Sequence, residues 1–322
     1  MKEEIKKIVE LAHQGKTIED FALILNLLML MESQEVLKPI EVKRLEHYYR
    51  NINKKYNHFE IEKKSGGIRE ISAPDPYLLF IQRQIVHLLL HSYQPTGQSH
   101  GFIHERSIVT NAELHINKNY VLNIDLADFF PSIKTNRIIF ALESAPFGFS
   151  KEMAQIIARF SVCDSKLPQG AATSPILSNI VCQDLDNKLN QFAIKYKQTF
   201  TRYADDITFS GYRRIYDTDF FKELNSIIRS EKFKIKKTKT RIQTRNNRQE
   251  VTGIVVNEKL NVNRKYVRQL RAMIHYHKNG KGPDNAMAVI MGKLEFLKMV
   301  KGKDRVYKNL STKFRNNNGM GK

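Results

Sequence analysis

Cysteine is scarce in this chain, and the side chains that bind zinc are not grouped. Cys163 and Cys182 are the only cysteines among 322 residues, and they lack the close spacing of zinc-binding pairs. The ten histidines form neither an HExxH motif nor a Cys/His cluster. We therefore expect no structural zinc, and so few cysteines are typical of a reducing compartment such as the cytoplasm.

A hydrophobic run of membrane-spanning length is also missing. The most apolar stretch, Phe21 to Met31, is shorter than the roughly 20 residues of a transmembrane helix, and Asn26 interrupts it. Thr17 to Asp20 has the pattern of a capping box, which predicts that a buried helix begins there. The N-terminus is too acidic for a secretory signal peptide. We expect a cytoplasmic protein that binds no membrane.

Acidic residues are few relative to basic ones. The chain has 53 Lys and Arg against 33 Asp and Glu, a formal net charge of +20. The excess is concentrated from Lys259 onward, where sixteen basic residues face three acidic ones. A charged run is commonly only a solvated face, but an imbalance of this size favours a polyanionic partner. We predict a nucleic-acid-binding region in the C-terminal third.

One acidic pair lies where acids are rare. Asp205 and Asp206 interrupt an apolar, β-favouring segment that runs from Phe200 to Phe209. Because Asp is depleted in strands, the pair predicts the tip of a β-hairpin. Two adjacent carboxylates repel each other unless a cation lies between them, and oxygen ligands favour a hard ion such as Mg²⁺. The alternative is an ordinary solvated turn.

A third acid gives this pair a partner. The residues from Tyr120 to Ile124 predict a short strand that ends at Asp125. Carboxylates at the ends of neighbouring strands can bind two metal ions about 3.5–4 Å apart, an arrangement that catalyses nucleotidyl transfer. Asp125, Asp205 and Asp206 therefore indicate a two-metal nucleotidyl transferase. Asp128 is a fourth ligand, a hydrogen-bonding partner of the substrate, or only an acid in the first turn of a helix.

The remaining pattern predicts mixed helices and strands in a chain long enough for about two domains. Apolar residues at helical spacing predict helices over residues 1–50, 78–90, 151–160, 176–198 and from 264 onward. Residues 59–72 are expected to form a hairpin. The strands that carry Asp125 and Asp205 are expected to form one mixed sheet with residues 233–235 and 251–256.

The motifs occur in an order that resembles the reverse transcriptases, from about residue 55 to residue 260. Asn123 to Ser132 is similar to the first catalytic-aspartate motif of that family, and Tyr203 to Asp206 is its YxDD signature. Three further matches are the fingers hairpin (Phe59 to Pro74), the nucleotide-pocket motif (Leu167 to Gly170, then Ser174-Pro175) and the lysine-bearing loop (Lys239-Thr240).

Two shorter motifs are similar to those of retron reverse transcriptases. Asn111 to His115 fits NAxxH, and Val251-Thr252-Gly253 fits VTG. The length also fits a stand-alone retron enzyme. Physically, Asn111 and His115 could be an ordinary hydrogen-bonded i, i+4 pair on a helix, and Thr252-Gly253 a strand with a glycine bulge.

The resemblance implies an α+β protein with the right-hand polymerase fold. Its parts would be an N-terminal helical segment (1–50), fingers (51–118), the first part of the palm (119–135), helices of fingers and palm (136–198), the second part of the palm (199–260) and a basic helical thumb that binds RNA (261–322).

The resemblance also implies roles for individual residues. The metal ligands would be Asp125, Asp205, Asp206 and the carbonyl of Leu126, and they would bind two Mg²⁺ ions, with Mn²⁺ as a substitute. The nucleotide would contact Lys64, Arg69, Asp128, Phe130, Gln169 and Lys239. In particular, Phe130 would exclude the ribose 2′-hydroxyl. RNA would contact Arg264, Lys265, Arg268 and Arg271. Asn111, His115, Val251, Thr252 and Gly253 would mark the retron branch.

The function implied is RNA-directed DNA synthesis in a bacterial retron. The cognate structured noncoding RNA (msr–msd) would be both template and 2′-hydroxyl primer, dNTPs the substrates, and branched RNA–DNA (msDNA) the product. A separate effector protein and a role in antiphage defence would follow. The alternatives are a group II intron-like or diversity-generating reverse transcriptase, a catalytically silent RNA-binding scaffold, and a basic DNA-coating protein.

Overall fold

The structure is a computed structural model that describes residues 2–32, 38–63, 66–281, 283 and 285–317. The chain forms two compact units, each built from three stretches of sequence. The first unit comprises Met1–Phe102, Leu126–Lys188 and Asn225–Lys234. The second unit comprises Ile103–Asp125, Leu189–Leu224 and Ile235–Lys322.

Helices make up most of the described chain. In order they are α1 (Lys2–Gln14), α2 (Ile18–Glu32), α3 (Val42–Arg50), α4 (Pro76–Ser92), α5 (Ile108–Glu113), α6 (Phe129–Ser132), α7 (Thr135–Glu143), α8 (Lys151–Ser161), α9 (Ser174–Val181), α10 (Gln183–Lys195), α11 (Thr218–Ser230), α12 (Arg264–Lys278), α13 (Ala286–Lys301) and α14 (Arg305–Asn317). None of the described helices is long and apolar enough to cross a bilayer.

The strands are shorter and mostly in the second unit. They are β1 (Tyr56–Glu62), β2 (Ile68–Pro74), β3 (Tyr120–Asp125), β4 (Thr199–Tyr203), β5 (Asp206–Gly211), β6 (Arg241–Thr244), β7 (Glu250–Val251) and β8 (Ile254–Val255). The predicted α+β class is confirmed, and β1 and β2 form the hairpin expected over residues 59–72.

Local sequence signals explain where the helices of the first unit begin. The backbone N–H of Asp20 donates to Thr17 Oγ1 and that of Thr17 to the Asp20 carboxylate, which confirms the predicted capping box of α2. Asp75 caps α4 by accepting from the Leu78 N–H at 2.8 Å, with Pro76 at the first helical position. Each helix buries an apolar face in the core of this unit, while Leu23, Leu30 and Leu90 remain exposed.

One predicted helix is two helices. The helix expected over residues 176–198 is divided at Cys182, whose φ of −89° and ψ of 2° lie outside the helical range and end α9. A second helix, α10, follows directly and stops at Lys195, before β4 begins. Apolar spacing alone did not reveal this break, because both helices keep a buried apolar face on either side of it.

The predicted mixed sheet is wrong in three respects. The sheet of the second unit has the order β4-β5-β3-β6, and every neighbouring pair is antiparallel. Its edge strand β6 is Arg241–Thr244, whereas residues 233–235 form no strand. Residues 251–256 stay outside this sheet, because a turn at Thr252 and Gly253 folds them into the separate hairpin β7–β8. Thus neither of the two added segments forms a strand of the sheet, although the Lys236 N–H donates to the Asp125 carbonyl at the end of β3.

The C-terminal helices share a core with this second hairpin. Val251, Ile254 and Val256 are buried together with apolar residues of α12, α13 and α14. The core faces of α12 and α13 are formed by Leu270, Ile274, Ile290, Leu294 and Leu297, and the predicted helical spacing of these residues is confirmed.

Candidate active site

The acidic hairpin, which we define as β4, β5 and the Ala204-Asp205 turn, presents the predicted pair of acids at its tip. Asp205 lies in the turn, and Asp206 is the first residue of β5. Ala204 adopts a φ of 55°, which allows the chain to reverse within two residues. Arg202 is fully buried, and its Nη1 donates to the carbonyl of Ala204 at 3.2 Å. This hydrogen bond stabilises the turn.

The neighbouring strand brings the third acid to the same edge of the sheet. Asp125 ends β3 and is the register partner of Asp206 in β5. Directly paired residues of antiparallel strands have Cα atoms about 4.5–5.5 Å apart. The predicted convergence of three aspartates therefore follows from the strand register.

A lysine contacts the most buried of these acids. Lys239 Nζ lies 2.6 Å from Asp125 Oδ2, and Asp125 is only 7% exposed. This hydrogen bond and the negative charge of Asp125 raise the pKa of Lys239 above its ordinary value. The Lys236 N–H donates to the backbone carbonyl of Asp125 at 2.8 Å, which holds the lysine-bearing segment beside the strand.

The Asp206 carboxyl is partly desolvated and lies near two other carboxylates. Partial loss of water, followed by repulsion from Asp205 and Asp125, raises its pKa to about 6, while Lys239 and Arg241 oppose the shift. The side chain nevertheless remains exposed to solvent, so water relieves part of the desolvation. Repulsion between the carboxylates is the cause that a bound cation would remove.

The three aspartates fit a hard divalent cation in chemistry and in charge. They supply only oxygen ligands, Asp125 already pairs with the Lys239 ammonium group, and repulsion from Asp205 and Asp125 adds to desolvation in raising the pKa of Asp206. Their side chains are not gathered as a finished ligand set, since no group of three or more acidic, His or Cys residues among the described residues is arranged to hold an ion. Binding would therefore require the carboxylates to turn toward the ion. The backbone carbonyl predicted as a further ligand belongs to Leu126, the residue after Asp125.

A cavity of about 540 Å³ opens beside these acids. Its lining includes Asp125, Asp206 and Lys239, together with Thr252 and Gly253 of the VTG hairpin. We define the VTG hairpin as β7, β8 and the Thr252-Gly253 turn. An added Cβ at Gly253 would meet no atom within 4 Å, so this turn faces open space. The cavity is large enough for part of a nucleotide and has basic as well as acidic walls.

The predicted nucleotide-pocket motif is held against the β1–β2 hairpin within the first unit. The Ser72 N–H of β2 donates to the Gln169 carbonyl at 2.8 Å. Gly170 follows with a φ of 129°, and a Cβ there would lie 2.9 Å from the Ser72 carbonyl oxygen. Glycine is required at this position by both backbone conformation and space. Arg69 is exposed on β2, whereas Lys64 lies outside the described residues.

The two aromatic residues after Asp128 differ in burial. Phe129 is 5% exposed and stacks on Phe233 with ring centroids 5.6 Å apart, so it is a core residue. Phe130 is half-buried and lies 6.2 Å from the Phe102 ring. Asp128 is exposed, has a φ of 45° and makes no capping hydrogen bond to α6. Asp128 is therefore an acid at the N-terminus of α6, as one of its three interpretations had it, although its side chain does not cap the helix.

The predicted RNA-binding residues lie on the outer surface of α12. Arg264, Lys265, Arg268 and Arg271 are all exposed. Arg264, Arg268 and Arg271 recur every three to four residues and so share one side of the helix, away from buried Leu270.

The sequence did not reveal which side chains support the acidic hairpin. Arg202, Thr201 and Ser210 are fully buried polar residues in its two strands. The signal available was a polar residue inside an apolar strand, but only the structure shows that His115 hydrogen-bonds to Thr201 and Ser210. Asn111 and His115 also do not form the i, i+4 pair considered above. The amide of Asn111 instead donates to Thr252 Oγ1 at 3.4 Å.

Comparisons with known proteins agree with this geometry. Residues 61–269 match the family described as reverse transcriptase (RNA-dependent DNA polymerase). The retron Mx65 reverse transcriptase of Myxococcus xanthus is 32% identical over 306 residues, which cover 88% of this chain and 68% of that protein. The retron Ec86 reverse transcriptase of Escherichia coli is 33% identical, over 77% of this chain and 78% of that protein.

Among solved structures, one that is similar to this chain is telomerase from Candida albicans with a fragment of telomeric RNA. The match covers 94% of this chain and 68% of the telomerase chain, at 13% identity and a TM-score of 0.45. From the family match and the two relatives, the chain belongs to the reverse transcriptases, in the retron branch of that family. It is an RNA-directed DNA polymerase with an RNA template as partner, in a family that generally depends on divalent metal ions. The predicted polymerase fold is confirmed.

Proposed function

We propose that this protein copies a cognate structured noncoding RNA into DNA that remains joined to the RNA through a 2′ branch. The observation that supports a catalytic reading is the register of Asp125 with Asp206, with Asp205 in the adjoining turn. A scaffold that only binds RNA has no need of three carboxylates that repel one another at one strand edge.

The metal site would use the side chains of Asp125, Asp205 and Asp206 and the carbonyl of Leu126, with Mg²⁺ as the natural ion and Mn²⁺ as a substitute. When bound, the two ions lower the pKa of the attacking hydroxyl and neutralise the leaving pyrophosphate. Lys239 would leave Asp125 and contact a phosphate oxygen or protonate the pyrophosphate. Its present contact shows that the side chain reaches the acids.

The incoming dNTP would contact residues of the predicted nucleotide pocket. Arg69 and Lys64 would bind the triphosphate, where a guanidinium can hold phosphate oxygens through two hydrogen bonds. Gln169 and Asp128 would contact the nucleotide, and Gly170 allows the backbone to approach it closely. The half-buried ring of Phe130 would exclude a ribose 2′-hydroxyl, whereas Phe129 remains in the core.

The partners follow from the retron branch. The RNA would be the msr–msd transcript, its own 2′-hydroxyl would prime synthesis, and msDNA would be the product. We also propose a separate effector protein, a role in antiphage defence, and a cytoplasmic location in a bacterium. The bounds of fingers, palm and thumb given above are part of the same proposal.

The direct test is to isolate the nucleic acid that copurifies with the protein from its native cells. Wild type should carry RNA joined to DNA, and an enzyme that cleaves 2′,5′ branches should release the DNA. Asp205→Asn should carry the RNA without attached DNA. Unbranched DNA would overturn 2′ priming, and absence of RNA in both preparations would overturn the cognate-RNA proposal.

The RNA-binding role of α12 is tested by neutralising charge on its exposed face. The triple variant Arg264→Gln, Lys265→Gln and Arg268→Gln should weaken RNA binding and reduce the slope of log K against log salt by roughly 1 for each phosphate that is no longer bound. The matched control is a triple Gln variant at Lys6, Lys7 and Lys16, which are exposed in the N-terminal segment. An unchanged slope in the α12 variant would contradict this assignment.

A further inference from the structure

The segment Asn111–His115 contacts both hairpins of the second unit. Its helix α5 packs against β4 of the acidic hairpin and against β7 and β8 of the VTG hairpin. Ser107 begins α5 with a capping box, in which its side chain accepts from the Thr110 N–H and Thr110 Oγ1 accepts from the Ser107 N–H. The start of the segment is therefore fixed by local hydrogen bonds.

His115 joins the two strands of the acidic hairpin. Its Nδ1 lies 2.6 Å from Ser210 Oγ in β5, and its Nε2 lies 2.8 Å from Thr201 Oγ1 in β4. All three side chains are fully buried. A neutral imidazole offers one donor and one acceptor, and each hydroxyl can serve in either role, so both contacts can be satisfied together.

Asn111 joins the same segment to the VTG hairpin. Its amide donates to Thr252 Oγ1, and the Thr252 hydroxyl donates in turn to the Ile108 carbonyl of α5 at 3.1 Å. Thr252 has a φ of 47°, a conformation that costs a β-branched residue energy and persists only when neighbours hold it. These two hydrogen bonds between Thr252 and α5 provide that restraint.

Ala112, between these two residues, anchors the segment to the core. It is fully buried among Val251 and Ile254 of the VTG hairpin and the apolar residues of α12 to α14. Three faces of one short helix and its following turn thus contact the acidic hairpin, the VTG turn and the C-terminal core. The segment cannot shift toward one of them without disturbing the others.

Both hairpins contribute walls to the cavity of about 540 Å³, Tyr203 and Asp206 from one and Thr252 and Gly253 from the other. We infer that Asn111 and His115 are positioning residues that fix the separation of the catalytic carboxylates from the VTG turn. The cavity would then hold the nucleotide that carries the attacking hydroxyl. This last identification rests on the proposed function, whereas the two hydrogen-bonded links do not.

The competing interpretation is that both side chains only stabilise the fold. Removing a partner from a buried hydroxyl destabilises the fold whatever the role of the side chain, so loss of stability alone decides nothing. Displacement of a reacting group by about 1 Å, by contrast, costs up to about 10²-fold in rate. The rate per correctly folded molecule therefore separates the two interpretations.

The experiment measures single-turnover extension of a DNA primer on an RNA template, normalised to active sites by burst titration. His115→Leu should lower the maximal rate by about 10- to 100-fold and leave the KM for dNTP within about twofold. Asn111→Leu should mainly weaken binding of the primer–template, because it releases the VTG turn rather than the carboxylates. Unchanged rate and affinity per active site in both variants would overturn the inference.

Partner and conservative variants keep the test valid if His115→Leu does not fold. Thr201→Val with Ser210→Ala should reproduce the rate loss, and adding His115→Leu to that pair should cause little further loss. His115→Gln and His115→Asn, each able to keep one of the two hydrogen bonds, should recover part of the rate. Full additivity would show that His115 does not act through these hydroxyls and would reject the proposal.

A second readout does not depend on polymerisation. The Mn²⁺ affinity of the acidic hairpin, measured by electron paramagnetic resonance, should be about tenfold weaker in His115→Leu than in wild type. If wild type binds Mn²⁺ but extends no primer, the proposed function fails while the positioning role of His115 is still decided. Equal Mn²⁺ affinity together with an equal rate would overturn that role.

Discussion

The acidic hairpin and the VTG hairpin have the same construction but different support. Each reverses the chain in two residues, and each has a positive φ at the first of them, 55° at Ala204 and 47° at Thr252. The strands differ in length. β4 and β5 share five register pairs and β5 pairs along its whole length with β3, whereas β7 and β8 share only two pairs.

This difference determines what holds each turn in place. In the acidic hairpin the backbone ladder sets the register, so the positions of Asp125 and Asp206 follow from strand pairing. Two pairs are too few to stabilise a hairpin alone. The VTG turn therefore depends on side chains, which are Asn111 of α5 and the Gln243 amide of β6, whose oxygen accepts from the Glu250 N–H at 2.5 Å.

The largest expected effect is at the tip of the acidic hairpin. Asp205→Asn removes one of the proposed carboxylate ligands, and we expect the rate of dNTP incorporation to fall about 10³-fold or more, equivalent to about 4 kcal/mol. The melting temperature should not fall, because one source of repulsion is lost with the charge. Asp219→Asn, at an exposed acid of α11, is the matched control and should be fully active. Full activity of Asp205→Asn would remove the catalytic assignment.

The next largest effect is a dependence of metal binding on pH. Protonated Asp206 cannot serve as a ligand, and its pKa is raised to about 6 in the metal-free protein. Mn²⁺ affinity should therefore increase roughly tenfold from pH 5 to pH 7, because rising pH removes this proton. Titration of Mn²⁺ binding by electron paramagnetic resonance measures this directly. The same titration of Asp206→Asn should be nearly flat, and an equally steep profile in that variant would assign the proton elsewhere.

The smallest expected effects are on stability, and they come from substitutions in the two turns themselves. Gly253 has a φ of 81°, so Gly253→Ala should lower the free energy of unfolding by about 1–2 kcal/mol, although the added methyl group meets open space. The reverse exchange, Ala204→Gly, relieves a positive φ in the acidic hairpin and should stay within about 1 kcal/mol of wild type. Denaturant unfolding measures both. A larger loss in Ala204→Gly than in Gly253→Ala would reverse the comparison.

Sequence reasoning predicted the acidic hairpin well and the VTG hairpin poorly. The acidic hairpin carries long β-favouring runs on both sides of its acids, and such local patterns survive in any tertiary context. In the segment from Val251 to Val256 the same apolar pattern suggested one strand of the main sheet. The turn at Thr252 forms instead because α5, far away in sequence, supplies the hydrogen bonds that hold a strained conformation.

The sequence by itself determined the class of this protein, the identity of its acidic residues and the excess of basic charge in its C-terminal helices. Those properties depend on residue type and local spacing. Only the tertiary structure decided that Lys239 contacts Asp125, that residues 233–235 form no strand, and that Asn111 and His115 contact different hairpins instead of each other. Each of these is a contact between segments distant in the chain, and spacing along a sequence contains no measure of such distances.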